Sequence, residues 1–543
     1  MAHQPTRRAV LGTGIALAGT GVLAACASDT PAISPAGAQV ADRFVSPEDP
    51  AVAAAEAERR SASGSGSVRK VSLTATPGRL DLGGGVTVPS WAYEGKLPGN
   101  LVRVTAGDTL ALTLANHLPR STSMHWHGLA VRNDMDGVPG LTQRPIEPGA
   151  DFAYRFTVAH PGTYWFHPHS GVQQDRGLYA PLIVDDPHEP LSYDKEWVVV
   201  LDDWLDGVDG STPDSVLAEL RKGKDGQAPP DGGMDHDGAM DHEDGGHSMG
   251  PVPATSAPAG PPRRTSGAIS DLLGGHAGDV AYPYYLINGR VPQAPSYFDA
   301  RPGDRIRLRI VNAGGDTAFR IALGGHQMTV THTDGYPVRH TAADALLLGM
   351  GERYDVLVTA GDGVFPLTAL AEGKKASALA VLRTAPGAAP APSVRPKELD
   401  GKLITANKLA PDESVALRER EPDRTIQVEL TGSMAAYDWA FDGQPYDPLV
   451  RRPVEEGERV RLVFHNSTSM WHPIHLHGHT FALAGAGASK GTALGARKDT
   501  AAALPKRTLT VDFDADNPGL WMLHCHNTYH ATSGMMTVLG YLK

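Results

Sequence analysis

The chain has 543 residues, enough for about three or four domains, and an apolar content of 41% that can fill a large core. Its net charge of -12 and pI near 6.0, with no basic stripe, exclude nucleic acid as a partner, because phosphate binding needs a basic face. Only two cysteines occur, Cys26 and Cys525, and no disulfide forms if each has a task of its own.

From the amino terminus, residues 1–26 read as an export signal. Thr6-Arg7-Arg8 precedes an apolar Gly/Ala-rich run from Ala9 to Ala25, too short and weak to span a membrane. The paired arginines resemble those of the twin-arginine route, and Leu23-Ala24-Ala25-Cys26 resembles a lipoprotein box. The expectation is an exported protein of the cell envelope, lipidated at Cys26 and anchored on the outer face of the cytoplasmic membrane; the alternative is a plain cleavable signal.

Residues 27–68, rich in Ala, Ser, Pro and Gly, read as a flexible tether. From Arg69 onward, short alternating segments of Val, Ile, Leu and Thr, broken by Gly, Pro, Asn and Asp, predict an all-β protein of sandwiches. The first domain is expected over 69–187 and the second over 188–390, interrupted by a disordered Gly/Pro/Asp-rich insertion at 207–270. A linker over 384–400 leads into a third domain over 396–543.

An internal repeat sets that count. Gly107-Asp108-x-Leu110-x-Leu112-x-Leu114-x-Asn116 recurs from Gly303 to Asn312 and from Gly457 to Asn466, each a turn followed by an alternating strand. His125 and His127 follow Asn116 at the offsets at which His475 and His477 follow Asn466; the same offsets beyond Asn312 give Ile321 and Leu323, so the middle domain has no metal there. TYWFHPHSGVQQDRGL (163–178) likewise aligns with LWMLHCHNTYHATSGM (520–535), but with Pro168 for Cys525, Gln173 for His530 and Leu178 for Met535. Thr122 stands where the third domain has His472.

Four His-x-His pairs stand in mirrored positions: 125/127, 167/169, 475/477 and 524/526. On a strand each pair points to one face, so eight imidazoles converge if the first and third domains pack together, and eight imidazoles fit three copper ions. Cys525 faces away from His524 and His526, and His472 is similarly out of phase with His475 and His477. A thiolate, imidazoles and a distant thioether suit a blue copper electron-transfer site, so two metal sites are expected back to back.

HWHG (125–128), HPHS (167–170), HPIHLHGH (472–479) and HCHNTYHATSGM (524–535) resemble the four copper motifs of the multicopper oxidases, a likeness that extends over nearly all of the mature chain. The resemblance implies three consecutive cupredoxin-like Greek-key β-sandwich domains and four copper ions. It places a type 1 copper on His472, Cys525, His530 and axial Met535, and a type 2 copper on His125 and His475. His127, His167, His169, His477, His524 and His526 go to the type 3 pair. Electrons from a reductant would enter by His530, pass through Cys525 to its flanking histidines, and reduce dioxygen to water at the cluster.

Dioxygen reduction also needs protons, for which Asp136 in NDMDGVP is the candidate relay, matching an acid common in the family after HWHG; the alternative is a turn aspartate before Gly137. Many relatives carry a further acid beside the last type 1 histidine, where this chain has Asn527, Thr528 and Ala531. Asp499 lies either near the blue copper, as an acid does in some relatives, or in a structural turn. His326, His332, His465 and His479 read as satisfied core or turn residues, and Trp126, Trp165, Trp471 and Trp521 as packing around the sites.

Within the insertion, Met234, His236, Met240, His242, His247 and Met249 sit among acids and suit copper capture, against a merely solvated acidic linker. A similar segment occurs in bacterial copper-tolerance oxidases. The expected function is oxidation of cuprous ion, with ferrous ion or phenols as further reductants; the competing readings are a copper-sequestering envelope protein and a laccase acting mainly on phenols. A two-domain copper nitrite reductase is weakened by the three repeats.

Overall fold

In the computed structural model, which describes residues 43–64, 66–223, 260–484 and 494–543, the three repeats form the strands Thr109–Asn116, Arg305–Asn312 and Arg459–Asn466. Each is entered through a glycine at φ between +87° and +94° (Gly107, Gly303, Gly457), a turn conformation that L side chains resist. Each lies parallel to a strand opening its own third of the chain, Val68–Gly83, Lys195–Trp204 and Arg424–Thr431.

The asparagine closing each repeat explains its own recurrence. Its side-chain amide donates to two backbone carbonyls, one in the following loop and one in a segment 30–37 residues further on: Arg120 and Ile146 for Asn116, Thr317 and Leu348 for Asn312, Met470 and Ala503 for Asn466. Its carbonyl oxygen accepts from the N–H two residues on, of Leu118, Gly314 and Thr468. The buried loop therefore keeps its polar backbone satisfied.

Among the described residues each third of the chain builds two large sheets, and the middle third adds a two-stranded ribbon of Ile269–Ser270 and Gly275–His276. In the first, the order Val86–Tyr93, Val68–Gly83, Thr109–Asn116, Asp151–Thr157 is matched by a second sheet, Val102–Thr105, Ala180–Asp185, Gly162–His167, His125–His127. The middle third has two 6-stranded sheets, and the last has one of 6 and one of 5 strands, the latter ordered Arg451–Val454, Met536–Tyr541, Leu520–Cys525, His472–Leu476, Thr500–Ala503. These pairs are β-sandwiches, the predicted class.

Three expectations are corrected. Ordered structure is already present ahead of Arg69: Phe44 and Val45 are buried, and Pro50–Ser63 is a helix capped by Asp49, where a tether was expected. Glu56 of that helix accepts from Thr157 N–H at 2.7 Å, and Arg59 donates to Asn517 at 2.9 Å, so it clasps the first sandwich to the third. Secondly, part of the 207–270 insertion is ordered. Pro213–Arg221 is a helix with a Thr212/Ser215 capping box and buried Val216, Leu217 and Leu220. Thirdly, the third domain does not begin at 396: Lys397–Asp400 buries Leu399, and Leu403–Ile404 pairs with Ala345–Leu348 of the middle sandwich.

Replacing Glu56 by alanine strands the buried Thr157 N–H without its acceptor. The expected cost is ~1–3 kcal/mol of stability, read as a lower thermal midpoint in calorimetry. An unchanged midpoint would contradict the clasp.

Candidate metal centre

Strand register sorts the ligand-type side chains. In the third sandwich Ile474 pairs with Cys525 and His475 with His524. His472, two residues before Ile474, thus shares a face with Cys525, while His475 and His524 lie on the opposite face. In the first sandwich His125 pairs with His167.

On the sulfur face, Cys525 Sγ lies 3.7 Å from Nδ1 of both His472 and His530, and those two nitrogens are 3.1 Å apart. All three residues are fully buried. The proton positions follow from the outer partners. His530 Nε2 donates to Asp279 Oδ2 at 2.9 Å, and His472 Nε2 to Thr468 Oγ1 at 2.9 Å, whose own hydroxyl proton serves Asn466 and Met470. Both Nδ1 lone pairs therefore face one point beside the thiol, an arrangement that a cation satisfies and a hydrogen bond does not. Burial pushes the Cys525 thiol up and the His472 imidazole well down, so metal entry would release the thiol proton. Met535 is buried, its carbonyl accepting from Cys525 N–H and its N–H donating to the His530 carbonyl.

On the other face all eight histidines gather. His125 stacks on His477 at 3.7 Å and His127 on His475 at 3.8 Å between ring centroids, and in each stack the two rings come from different sandwiches. Nδ1–H of His125, His167, His475 and His524 donates to the backbone carbonyls of Asp136, Pro168, Asp499 and Cys525 at 2.8–3.0 Å. His477 Nδ1 donates to Asp136 Oδ2 at 2.8 Å. Five imidazoles thus turn Nε2 inward. His477 Nε2 and His169 Nε2 come within 3.1 and 3.3 Å of His524 Nε2, while Nε2 of His125, His167 and His475 is buried without a hydrogen-bond partner among the described residues. Burial holds His167, His169, His477, His524 and His526 neutral, well below the usual histidine range. Facing lone pairs on neutral imidazoles fit metal ions, and the nitrogen and thiol donors are those that copper accepts.

Acids from other parts of the chain complete both faces. Asp136 is fully buried, spanning Nδ1 of His477 and, at 3.2 Å, Nδ1 of His125. Asp499 lies not by the sulfur site but against the cluster, its Oδ1 3.0 Å from His127 Nε2, and its carboxylate is paired with Arg353. Burial alone would raise that carboxyl; the Arg353 guanidinium and the nearby histidines override it and hold the group well below the usual range. The helix Thr528–Thr532, which lacks an acid of its own, is gripped by three from elsewhere: Asp316 accepts from Asn527, Asp175 from Tyr529 and Asp279 from His530. Sequence reasoning missed Asp279, and also Trp439, whose ring lies 4.5 Å from His530 and 5.3 Å from His472; neither stands in a motif.

The remaining expectations fall as follows. Trp165 packs on His167 at 4.5 Å and His127 at 5.1 Å. His326, His332 and His479 find partners in Gly324, Thr331 and Tyr541, while His465 is on an exposed strand face rather than in core or turn. In the first sandwich the places of His472 and His530 are taken by Thr122 and Gln173, which hydrogen-bond each other at 2.7 Å and close a site that has no thiol. Cys26, Met234, His236, Met240, His242, His247 and Met249 lie outside the described residues.

A buried thiol between two imidazoles on one face of a strand pair, and an eight-imidazole cluster on the other, define a redox-metal protein built on three sandwiches. Models of the multicopper oxidase family match residues 74–189, 265–387 and 419–541. The chain is 48% identical over 537 residues to the multicopper oxidase MmcO of Mycobacterium tuberculosis, covering 99% of this chain and 97% of that protein. It is 29% identical to copper resistance protein A of Escherichia coli, over 81% of this chain and 87% of that protein. In fold it resembles Fet3p, a multicopper oxidase that functions in iron import (TM-score 0.68, 23% identity, 87% of this chain and 90% of that one). It also resembles a laccase from Botrytis aclada (TM-score 0.65, 24% identity, 90% of each chain). The chain belongs to the multicopper oxidase family, and is an oxidoreductase with copper cofactors.

Proposed function

We propose that this chain is an exported oxidase that takes electrons from cuprous ion, with ferrous ion or phenols as less specific reductants, and reduces dioxygen to water in the service of copper tolerance. The observation that carries the reading is the placement of a thiol site and an eight-imidazole cluster on opposite faces of one strand pair. In this reading His472, Cys525, His530 and Met535 hold one copper, His125 and His475 a second, and His127, His167, His169, His477, His524 and His526 a pair. Copper bound there supplies the one-electron steps that join oxidation of the reductant to four-electron reduction of dioxygen.

The protein's own groups do the rest. Cys525 is covalently continuous with His524 and His526, so the two sites are a few bonds apart. The hydrogen bond from His530 to Asp279 points out of the sulfur site. Asp279 Oδ1 has no hydrogen-bond partner among the described residues and lies 3.9 Å from His276, whose side chain is 18% exposed. This leads from the buried site toward solvent and suits a cationic reductant.

The ends of the Met/His-rich segment support cuprous ion as substrate. Arg221, just before that segment, donates to the Thr532 carbonyl on the helix that carries His530. Arg264, just after it, donates to the carbonyl of Met434, close in sequence to Trp439 and Tyr437. Deleting 231–249 is expected to lower cuprous oxidation ~10-fold or more through lost local concentration, with a smaller effect on a bulky phenol. Equal effects would return the segment to a linker.

The copper-resistance names of two relatives support the tolerance role, and the paired arginines and Cys26 support export and lipidation. No helix among the described residues is long and apolar enough to cross a membrane. Oxygen uptake by copper-loaded protein with cuprous ion, ferrous ion and a phenol decides between the readings. Uptake driven by cuprous ion supports the proposal; no uptake from a fully loaded protein supports storage, and uptake with phenol alone supports a laccase.

A further inference from the structure

The middle sandwich contributes no histidine to the cluster, yet its turn 349–353 lies against it. A Cβ added at Gly351 (φ +87°) would meet His127 Cε1 at 2.8 Å and His526 Cδ2 at 3.1 Å, so the backbone of this turn touches rings from both outer sandwiches. The next residue, Glu352, pairs with Lys498 at 2.9 Å. Arg353 follows, with no exposed side-chain surface.

The Arg353 guanidinium joins all three sandwiches. Nε donates to the Thr163 carbonyl at 3.0 Å, on the strand that ends in His167. Nη1 donates to Gly351 O at 3.2 Å within its own turn. Nη1 and Nη2 each donate to Asp499 at 2.7 Å, a planar two-point grip. Gly128, at φ +86°, leaves the room: a Cβ there would lie 2.3 Å from Nη2 and 2.6 Å from Asp499 Oδ2. The gripped carboxylate then accepts from His127 Nε2, and the Asp499 backbone carbonyl accepts from His475 Nδ1.

His127 is thereby made the exception in the cluster. Five other imidazoles send Nδ1 outward; His127 has Nε2 engaged and turns Nδ1 toward His526 Nε2, 3.2 Å away. We propose that Arg353 is a positioning residue for the cluster, fixing through Asp499 which nitrogen His127 presents and where His475 stands. The inference rests on the ligand assignment proposed above. It gives the sandwich that lends the cluster no histidine a task in the reaction: it holds the seam at which imidazoles of the first and third sandwiches stack.

The test uses the full-length, copper-loaded protein and two variants. Arg353→Lys keeps the charge but loses the planar fork; Asp499→Asn keeps the volume and serves if the lysine variant does not fold. The readouts are copper per folded chain, the near-ultraviolet band of the coupled copper pair, and the visible band of the thiolate site as internal reference. The expected result is a ~10- to 100-fold weaker hold on the cluster coppers, the usual consequence of losing an outer partner of a metal-bound histidine, with the visible band retained per folded chain. An unchanged band ratio, or loss of both bands in equal proportion, overturns the positioning role. A wild-type chain that is fully loaded yet lacks the near-ultraviolet band overturns the ligand assignment beneath it instead.

Discussion

Replacing Cys525 by serine is expected to abolish the visible thiolate band, lower the copper content by one ion per chain, and cut oxygen uptake by more than ~100-fold. The hydroxyl of serine is a hard, weakly acidic donor that does not replace a thiolate toward copper. The scaffold should nevertheless survive. The ladder from Leu520 to Cys525 is made by backbone groups, and Cys525 N–H still donates to the Met535 carbonyl. His524 and His526 therefore keep their face, and the cluster should keep its metal. Metal analysis and absorption on the same sample check both halves. A variant that stays coloured removes Cys525 from the site, and one that loses all its copper contradicts the separation of the two faces.

That separation was legible in the sequence, because it depends only on the two-residue alternation of a strand. His524-Cys525-His526 and the out-of-phase His472 declared two faces without any knowledge of tertiary contacts, and the mirrored offsets after Asn116 and Asn466 paired the outer sandwiches. What was hidden comes from across sandwich boundaries. Asp279 is 251 residues from His530, and Arg353 is 146 from Asp499. No local spacing connects such residues, so the missing acid beside His530 looked like a gap when the middle sandwich supplies it. For the same reason RKDT allows Asp499 a place near the blue site or in a structural turn but does not name the cluster histidine it faces.

The helix Pro50–Ser63 was hidden differently. Only Val52 and Glu56 are buried along its 14 residues, so its Ala-rich composition matches a tether, and its hold is made by Glu56 and Arg59 rather than an apolar stripe. The helix Pro213–Arg221 did carry local signals, the Thr212 cap and apolar positions at 216, 217 and 220, but Gly and Pro on both sides outweighed them in a reading by composition.

Substituting Asp136 by alanine is expected to slow the dioxygen half of the cycle by ~100- to 10,000-fold while leaving reduction of the thiolate site at its wild-type rate. A turn aspartate would spend its carboxylate on nearby backbone; this one is sealed between His125 of the first sandwich and His477 of the third, with Oδ2 accepting from His477 and Oδ1 3.2 Å from His125 Nδ1 but without a hydrogen bond among the described residues. That carboxylate lies beside the cluster, far along the chain from the thiol ligands, so a defect there should appear only when oxygen is the oxidant. Stopped-flow bleaching of the visible band by a reductant, followed by its return on mixing with oxygen, separates the two halves. Asp136→Asn distinguishes proton delivery from orientation, because the amide oxygen can still accept from His477 but the amide cannot cycle a proton. If the asparagine variant recovers its colour as fast as wild type, Asp136 only orients the imidazoles; if it is as slow as the alanine variant, the carboxyl carries the proton.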